Sequence, residues 1–216
     1  MIKVILTAAV VSVVLTYGCG GGNAEKNQDG TAEKSVIGQM TESAGALKEV
    51  SKLEQYGKDI EQRMNVLKAL TPVSNEVLKA VLPETLVDMK RKSLRVGEMS
   101  AMGVASASAE YENADDTKSL DINIIDGAGE SGSGMASLMF FGFTTEREEI
   151  TENGFEKTTE INGKRALVKE ETYNGEVDSE IKWIHDERFI IELKADGYTL
   201  DELTQLFKNL DLSALK

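Results

Sequence analysis

Few side chains in this 216-residue sequence have the types and spacing that catalysis requires. The only histidine, His185, precedes Asp186 and Glu187 at a predicted strand end, and a general base needs a positioned partner and a substrate site. We favour a histidine that is exposed in a turn or paired with a carboxylate. Glu170 and Glu180 are predicted to face each other across a hairpin, as the acid pair of a glycoside hydrolase does. Charged outer faces of antiparallel sheets produce the same pairs, so these two residues do not by themselves predict catalysis.

A group of acidic residues provides candidate ligands for calcium: Asp115, Asp116, Asp121, Asp126 and Glu130. Their spacing does not fit a calcium loop, because Ile125 occupies the position where a third oxygen ligand would follow Asp121 and Asn123. A zinc site built on several histidines is excluded, since the sequence has only one. We therefore predict no metal, no cofactor and no catalytic residue.

The segment 127–132 matches the G-x-G-x-x-G fingerprint of dinucleotide-binding sites. However, the strand before it carries polar residues at alternate positions, as a half-solvated antiparallel strand does, whereas the fingerprint follows a buried parallel strand. Glu130 would also place a negative charge in the phosphate site. We interpret residues 127–134 as a flexible connection.

Cys19 is the only cysteine of the chain and carries its strongest functional signal. It follows a short positively charged start, Met1–Lys3, and an apolar run, Val4–Leu15. That run is too short to cross the ~30 Å hydrocarbon core of a bilayer, which takes about 20 residues, and is typical of a cleavable export signal. With one thiol, the chain cannot form an internal disulfide bond.

The sequence Leu15–Cys19 resembles a lipobox, the motif at which signal peptidase II cleaves before a diacylglyceryl-modified cysteine. Leu15 lies four residues before Cys19 rather than three, and Tyr17 takes a position that is usually small, which resembles the looser motifs of Bacteroidota. The resemblance implies a signal peptide over residues 1–18 and lipidation of Cys19. Cys19 is followed by Gly20 rather than by aspartate, which resembles the signal for sorting to the outer membrane. The implied location is the cell envelope, at the outer membrane facing the periplasm in a Gram-negative cell.

Net charge excludes one class of partner. The chain has 37 acidic and 24 basic residues, a net charge of −13, and an acidic surface repels nucleic-acid backbones and anionic headgroups. The basic cluster of Lys90, Arg91, Lys92 and Arg95 is interpreted as a solvated patch that balances nearby carboxylates. The expected partners are a membrane, through the lipid anchor, and a protein or small ligand, but no nucleic acid.

The N-terminal part of the mature chain is predicted to be a tether followed by helices. Residues 19–35 are small and polar, which is typical of a flexible linker with a reach of ~20 Å. Apolar residues then recur at intervals of three and four over 36–70, which predicts a long amphipathic helix ended by Pro72. This helix is expected to lie across its own domain's sheet, or alternatively to bind a partner as a coiled coil. With a shorter helix, Asn75–Val81, it forms a helical segment, 36–82.

Residues 83–216 are predicted to form an α+β domain. Alternating small and polar residues predict strands over 99–111 and 120–124, joined as a hairpin, and an apolar stretch predicts a helix over 135–143. Asn-Gly pairs at 162–163 and 174–175 and a turn at 186–187 predict a four-stranded antiparallel meander over 155–194. Thr199 and Glu202 predict a capping box that starts the last helix.

The expected architecture is therefore an antiparallel β-sheet, made of a hairpin and a four-stranded meander, which helices cover and a long amphipathic helix precedes. The order of elements over 83–212 is loosely similar to that of PsbP-like sandwiches, but no motif supports a transfer of residues or activity. The predicted function is that of a membrane-anchored envelope lipoprotein acting as a non-catalytic binding or interaction module. The alternatives are a carboxylate- or metal-dependent envelope hydrolase with a cleft near 127–134, and a structural spacer.

Overall fold

A nine-stranded antiparallel sheet organises residues 55–216, the part of the chain that the computed structural model describes. Its strands in chain order are β1 (Thr85–Leu86), β2 (Met89–Val96), β3 (Ser106–Glu112), β4 (Ser119–Asp126), β5 (Glu148–Ile150), β6 (Gly154–Ile161), β7 (Lys164–Tyr173), β8 (Glu176–His185) and β9 (Phe189–Asp196). Across the sheet the order is β1-β2-β3-β4-β9-β8-β7-β6-β5. The chain thus builds the sheet as two meanders, which start at opposite edges and meet where β4 pairs with β9.

Four helices accompany this sheet in the described residues: α1 (55–69), α2 (Asn75–Ala80), α3 (Gly129–Thr144) and α4 (Leu200–Phe207). The predicted α+β class with an antiparallel sheet is confirmed. The sheet is larger than the predicted hairpin and meander, because β1, β2 and β5 were not foreseen. The export signal 1–18, Cys19, the tether 19–35 and the first part of the predicted helix 36–70 lie outside the described residues.

The sheet face covered by α2 and α4, here called the core face, contains most of the hydrophobic core. Register places Ile122 beside Leu193 and Leu193 beside Ile181, so that apolar side chains of successive strands form continuous rows. Trp183 contributes the largest buried side chain, and its ring meets that of Phe207 from α4 edge-on at 4.4 Å. Each such fully buried side chain stabilises the fold by about 1.5–3 kcal/mol relative to exposure.

The opposite face, here called the open face, is covered by α1 and α3 only at one end. There a small apolar cluster joins Leu67 of α1, Ala136 of α3 and Ile190 of β9. Further along, the same face carries ionic side chains, including Lys182, which pairs with Glu192 at 2.8 Å. The hydrogen bonds of Lys182 to Glu192 and Glu180 outweigh the effect of burial and raise its pKa.

The predicted strand over 99–111 starts later than expected. Residues Ser100–Met102 form a 3-10 turn, and Gly103 has a left-handed φ of 74°, which ends any extended conformation there. The small side chains of Ala107 and Ala109 then lie on the core face, beneath α2. The basic cluster at 90–95 lies in β2, where Arg95 pairs with Glu110 at 2.5 Å and Lys92 with Glu112 at 2.8 Å, as the interpretation of a balanced patch predicts.

The glycine-rich stretch 127–134 is not the flexible connection that the sequence suggested, because α3 begins at Gly129 and includes most of it. A Cβ atom at Gly127 would lie 2.5 Å from the carbonyl oxygen of Arg188, and one at Gly132 would lie 2.6 Å from that of Asp126. Glycine is therefore required for α3 to approach the end of β4. These glycines serve close packing, and the antiparallel neighbours of β4 differ from the parallel strands of a dinucleotide fold.

Candidate functional site

A groove runs along the covered end of the open face, between α1, α3 and the turn from β8 to β9. It consists of two adjoining hollows of about 520 and 290 Å³, which share Arg63 and Glu187 in their walls. The first hollow is mainly apolar and is lined by Val66 and Leu67 of α1 and by Leu70, which directly follows this helix. We call the combined feature the α1–α3 groove; the larger hollow falls within the ~300–1,000 Å³ of typical ligand pockets.

A buried ion pair holds the elements around this groove together. Arg188, in the β8–β9 turn, donates from Nε to Oδ1 of Asp126 at 2.7 Å and from Nη2 to Oδ2 at 2.8 Å. Asp126 is fully buried at the end of β4. Such a bidentate pair restricts the relative orientation of both side chains, so the β8–β9 turn is fixed against β4.

The remaining hydrogen bonds of this pair reach three other segments. Arg188 donates to the carbonyl oxygens of Thr71 at 3.0 Å and Lys216 at 2.9 Å. Asp126 accepts from the backbone N–H of Val73 at 2.7 Å and from that of Ala128, at the start of α3, at 2.9 Å. Asp126 therefore accepts four hydrogen bonds, and Arg188 donates four of its five N–H groups, which is the condition under which a buried pair is tolerated. The pair anchors the groove and is not free to bind a ligand.

Arg63 stands at the junction of the two hollows. Its Nη1 lies 3.2 Å from Oε2 of Glu187, and its guanidinium lies 4.5 Å from the ring centroid of Phe140 in a cation–π contact. Glu187 is 76% exposed and projects from a turn with a positive φ of 54°. The junction thus already holds a carboxylate, and that carboxylate is accessible to solvent.

Arg165 forms the far end of the second hollow. Its Nε donates to the carbonyl oxygen of Phe143 at the end of α3, where a cation interacts favourably with the helix dipole. Among residues 55–216, its guanidinium forms no ion pair, although Glu160 of β6 is its register partner. Phe140, Phe143 and Ile184 supply the apolar wall between Arg165 and Arg63.

The electrostatics of the second hollow differ from those of the whole chain. Arg63, Lys164 and Arg165 line it together with a single acidic residue, Glu187, although the chain carries a net charge of −13. Cationic groups beside aromatic walls favour a ligand that has both an anionic and an apolar part. This arrangement can bind and orient a ligand.

His185 does not belong to the groove. It ends β8 on the core face, because it alternates with Ile184, and its ring lies 6.5 Å from that of Phe189. Burial lowers the pKa of His185, and the nearby charge of Lys164 lowers it further.

The expected pairing of Glu170 with Glu180 is wrong, because the two residues lie on opposite faces of the sheet. Register pairs Glu170 with Ser179 and Glu180 with Lys169, which sets the two carboxylates on alternate sides. Glu170 accepts from the backbone N–H of Leu200 at 2.7 Å and so supports the start of α4. Glu180 pairs with Lys182 at 3.0 Å on the open face. These carboxylates therefore do not form a glycosidase pair.

The acidic residues of segment 115–130 are dispersed as well. Asp126 is occupied by Arg188, Glu130 pairs with Lys68 at 2.8 Å, and Asp116 pairs with Lys92 at 3.3 Å. Among residues 55–216, no group of three or more histidine, cysteine, aspartate or glutamate side chains is placed to hold a metal ion.

The groove residues were not identified from the sequence. Arg63 and Glu187 are 124 positions apart (187 − 63) and meet only because α1 packs beside the β8–β9 turn. The one local signal was the apolar stretch of α3, which contains Phe140 and Phe143, and the sequence places it on a helix without showing which side faces the sheet.

No protein-family model, curated protein or solved structure matches this chain. Over the described residues, no helix is both long enough and apolar enough to cross a membrane.

Proposed function

We propose that this protein is a membrane-anchored lipoprotein of the cell envelope, whose domain binds a partner molecule in the α1–α3 groove. The lipid anchor rests on Cys19 and the apolar run before it, and several acyl chains would make such an anchor effectively permanent. In this proposal the protein faces the periplasm from the outer membrane of a Gram-negative cell. The groove is the observation that supports the binding role, because it combines exposed apolar surface with two cations, Lys164 and Arg165, for which residues 55–216 form no ion pair.

The long amphipathic helix predicted over 36–70 has a defined place in this proposal. Its described part, α1, packs Leu67 into the cluster with Ala136 and Ile190, while Val66 remains 63% exposed in the groove wall. One side of α1 thus contacts its own domain, and the next residue is available to a ligand. We propose that the tether leads from the membrane to this helix and keeps the groove close to the membrane surface.

The alternative function, an envelope hydrolase, has less support. A carboxylate mechanism needs two acids that converge on one substrate position, whereas Glu170 and Glu180 lie on opposite faces. The proposed cleft near 127–134 is occupied by the close approach of α3 to β4, since Gly127 and Gly132 leave no space even for a Cβ atom.

The anchor is tested by metabolic labelling. Cells expressing the wild-type chain should incorporate radiolabelled palmitate into the protein, and cells expressing Cys19→Ala should not, because no other thiol is present. A Ser43→Ala variant, which alters a residue remote from the lipobox, serves as the control and should label normally. Equal labelling of wild type and Cys19→Ala would refute the lipid anchor.

The groove is tested by photo-crosslinking in intact cells. We expect p-benzoylphenylalanine at Val66, 63% exposed in the groove wall, to form a defined adduct on irradiation. The matched control is the same residue at Ile150, which is 74% exposed on the edge strand β5. Adducts of equal yield at both positions, or none at Val66, would contradict binding in the groove.

A further inference from the structure

The α1–α3 groove has a cationic part and an apolar part next to each other. Arg165 is held by its Nε bond to the Phe143 carbonyl, and within the described residues its guanidinium forms no ion pair, although Glu160 is its register partner on β6. Arg63 lines the same hollow and also the larger one. Two guanidinium groups thus line a 290 Å³ hollow, and an arginine can bind a planar anion with two parallel hydrogen bonds.

The structure contains an internal group that occupies part of this site. The Glu187 carboxylate lies 3.2 Å from Arg63 Nη1, so the geometry at this position already suits a carboxylate. Glu187 is largely exposed, and surface ion pairs of this kind contribute little free energy. A ligand carboxylate can therefore displace Glu187 at little cost.

The apolar part defines the remainder of the ligand. Phe140, Phe143 and Ile184 border the cationic hollow, and Val66 and Leu70 continue the apolar wall into the larger one. Val66 and Leu70 are 63% and 39% exposed, so this wall is open to a ligand. Removing this apolar surface from water would favour binding of an apolar chain.

We infer that the α1–α3 groove binds a single-chain amphipathic carboxylate, with its head between Arg63 and Arg165 and its apolar body along α3 and α1. This inference rests on the proposed binding function and names the ligand class. An amphipathic cation would be repelled by Arg63, Lys164 and Arg165. A small inorganic anion would leave the aromatic wall uncovered.

The test is calorimetric titration of the full chain carrying Cys19→Ala, so that no acyl chain of the protein itself enters the groove. Dodecanoate, below its critical micelle concentration, is the probe, and dodecyltrimethylammonium has the same alkyl chain with the opposite charge. We expect saturable binding of one dodecanoate and at least tenfold weaker binding of the cation. Equal affinity for both would overturn the inference.

Two substitutions with opposite expected effects identify the site. Arg165→Gln should weaken dodecanoate binding about tenfold, because it removes a charge-assisted hydrogen bond to the carboxylate. Glu187→Gln should strengthen binding about two- to fivefold, because it removes the internal competitor of Arg63. Arg95→Gln, an exposed arginine in β2, is the matched control and should leave the affinity unchanged. Weaker binding by Glu187→Gln, or no effect of Arg165→Gln, would overturn the inference.

The outcomes separate this inference from the proposed function. A crosslink at Val66 without dodecanoate binding would leave the binding function intact and refute the ligand class. Dodecanoate binding without palmitate labelling would support the ligand class and refute the anchor. Arg165-dependent sedimentation with phosphatidylglycerol vesicles, in the absence of dodecanoate binding, would assign the groove to a membrane surface and overturn the inference.

Discussion

The two faces of the sheet are formed by alternate residues of the same strands, and they differ in their side chains and in their helical cover. On the core face, rows of apolar side chains pack under α2 and α4, and the C-terminal residues Leu212 and Leu215 complete the cover. On the open face, α1 and α3 cover one end, and ion pairs such as Lys182–Glu192 lie beyond them. The core face contributes stability, and the partly covered open face leaves a groove lined by Arg63, Lys164 and Arg165. The proposed binding surface lies where the helical cover is incomplete.

The strongest test of this comparison concerns the ion pair that joins both faces at the end of β4. Arg188→Ala should destabilise the protein by about 3–5 kcal/mol, because it leaves the buried Asp126 carboxylate without its counter-ion. Arg95→Ala removes an arginine from a pair whose side chains are 46% and 43% exposed, and should cost about 0–1 kcal/mol. The free energies of unfolding are measured by urea denaturation.

If both arginine variants lost similar free energy, burial would not distinguish the two ion pairs, and the Asp126–Arg188 pair would not anchor the groove. Hydrogen exchange adds a local measurement. In Arg188→Ala we expect faster exchange of the Val73 and Ala128 N–H groups, because in the wild type both groups donate hydrogen bonds to the Asp126 carboxylate.

Two neighbouring residues of β9 compare the faces directly, since Ile191 lies on the core face and Ile190 on the open face. Ile191→Ala should cost about 3–5 kcal/mol, because its surroundings cannot collapse into the cavity. Ile190→Ala should cost about 2–3 kcal/mol, because only α1 and α3 cover it and both can shift. Urea denaturation gives both values. A larger loss for Ile190→Ala would invert the comparison.

The sequence predicted the local features of this fold because their signals lie within a few residues. The structure has positive φ angles at Asn162, Gly163, Asn174 and Gly175, where Asn-Gly pairs predicted two-residue turns. It also contains the capping box predicted from Thr199 and Glu202. These motifs satisfy backbone geometry or backbone N–H groups locally, so they do not depend on the rest of the chain.

Features that depend on distant residues were not predicted. The basic cluster of β2 contains too few apolar residues to indicate a strand, and it becomes one through its pairing with β3. The interpretation of the glycines at 127–134 as a flexible connection was wrong. Glycine is required there because a Cβ atom would collide with the backbone of Arg188 or Asp126, which the local sequence does not show. The candidate site could not be predicted for the same reason, since its cations line one hollow only after α1 and α3 pack on the open face.

A smaller effect is expected from the cap of α4, which helps to close the core face. Thr199→Ala should cost about 1 kcal/mol, because the N–H of Glu202 loses its side-chain acceptor. Thr204→Ala, with a hydroxyl that donates to the Leu200 carbonyl within α4, is the control and should cost less, because that carbonyl can still accept from the backbone. Thermal denaturation monitored by circular dichroism gives both values. Equal losses would show that the cap does not limit the closure of this face.

The smallest expected effect is a pH dependence that arises from His185 on the core face. Burial holds the pKa of His185 below its ordinary value of 6.5, with Lys164 acting in the same direction and Asp186 in the opposite one. As the pH falls below about 6.5, the unfolded chain binds a proton that the folded chain does not, so stability must decrease until the folded histidine titrates as well. His185→Gln cannot bind this proton in either state. Its unfolding free energy relative to that of the wild type should therefore rise as the pH is lowered from about 7.5 to 5.5, as measured by urea titrations. If the wild type instead gained stability over the variant on acidification, His185 would be stabilised in its charged form, and the core face would be open to solvent at this end of β8.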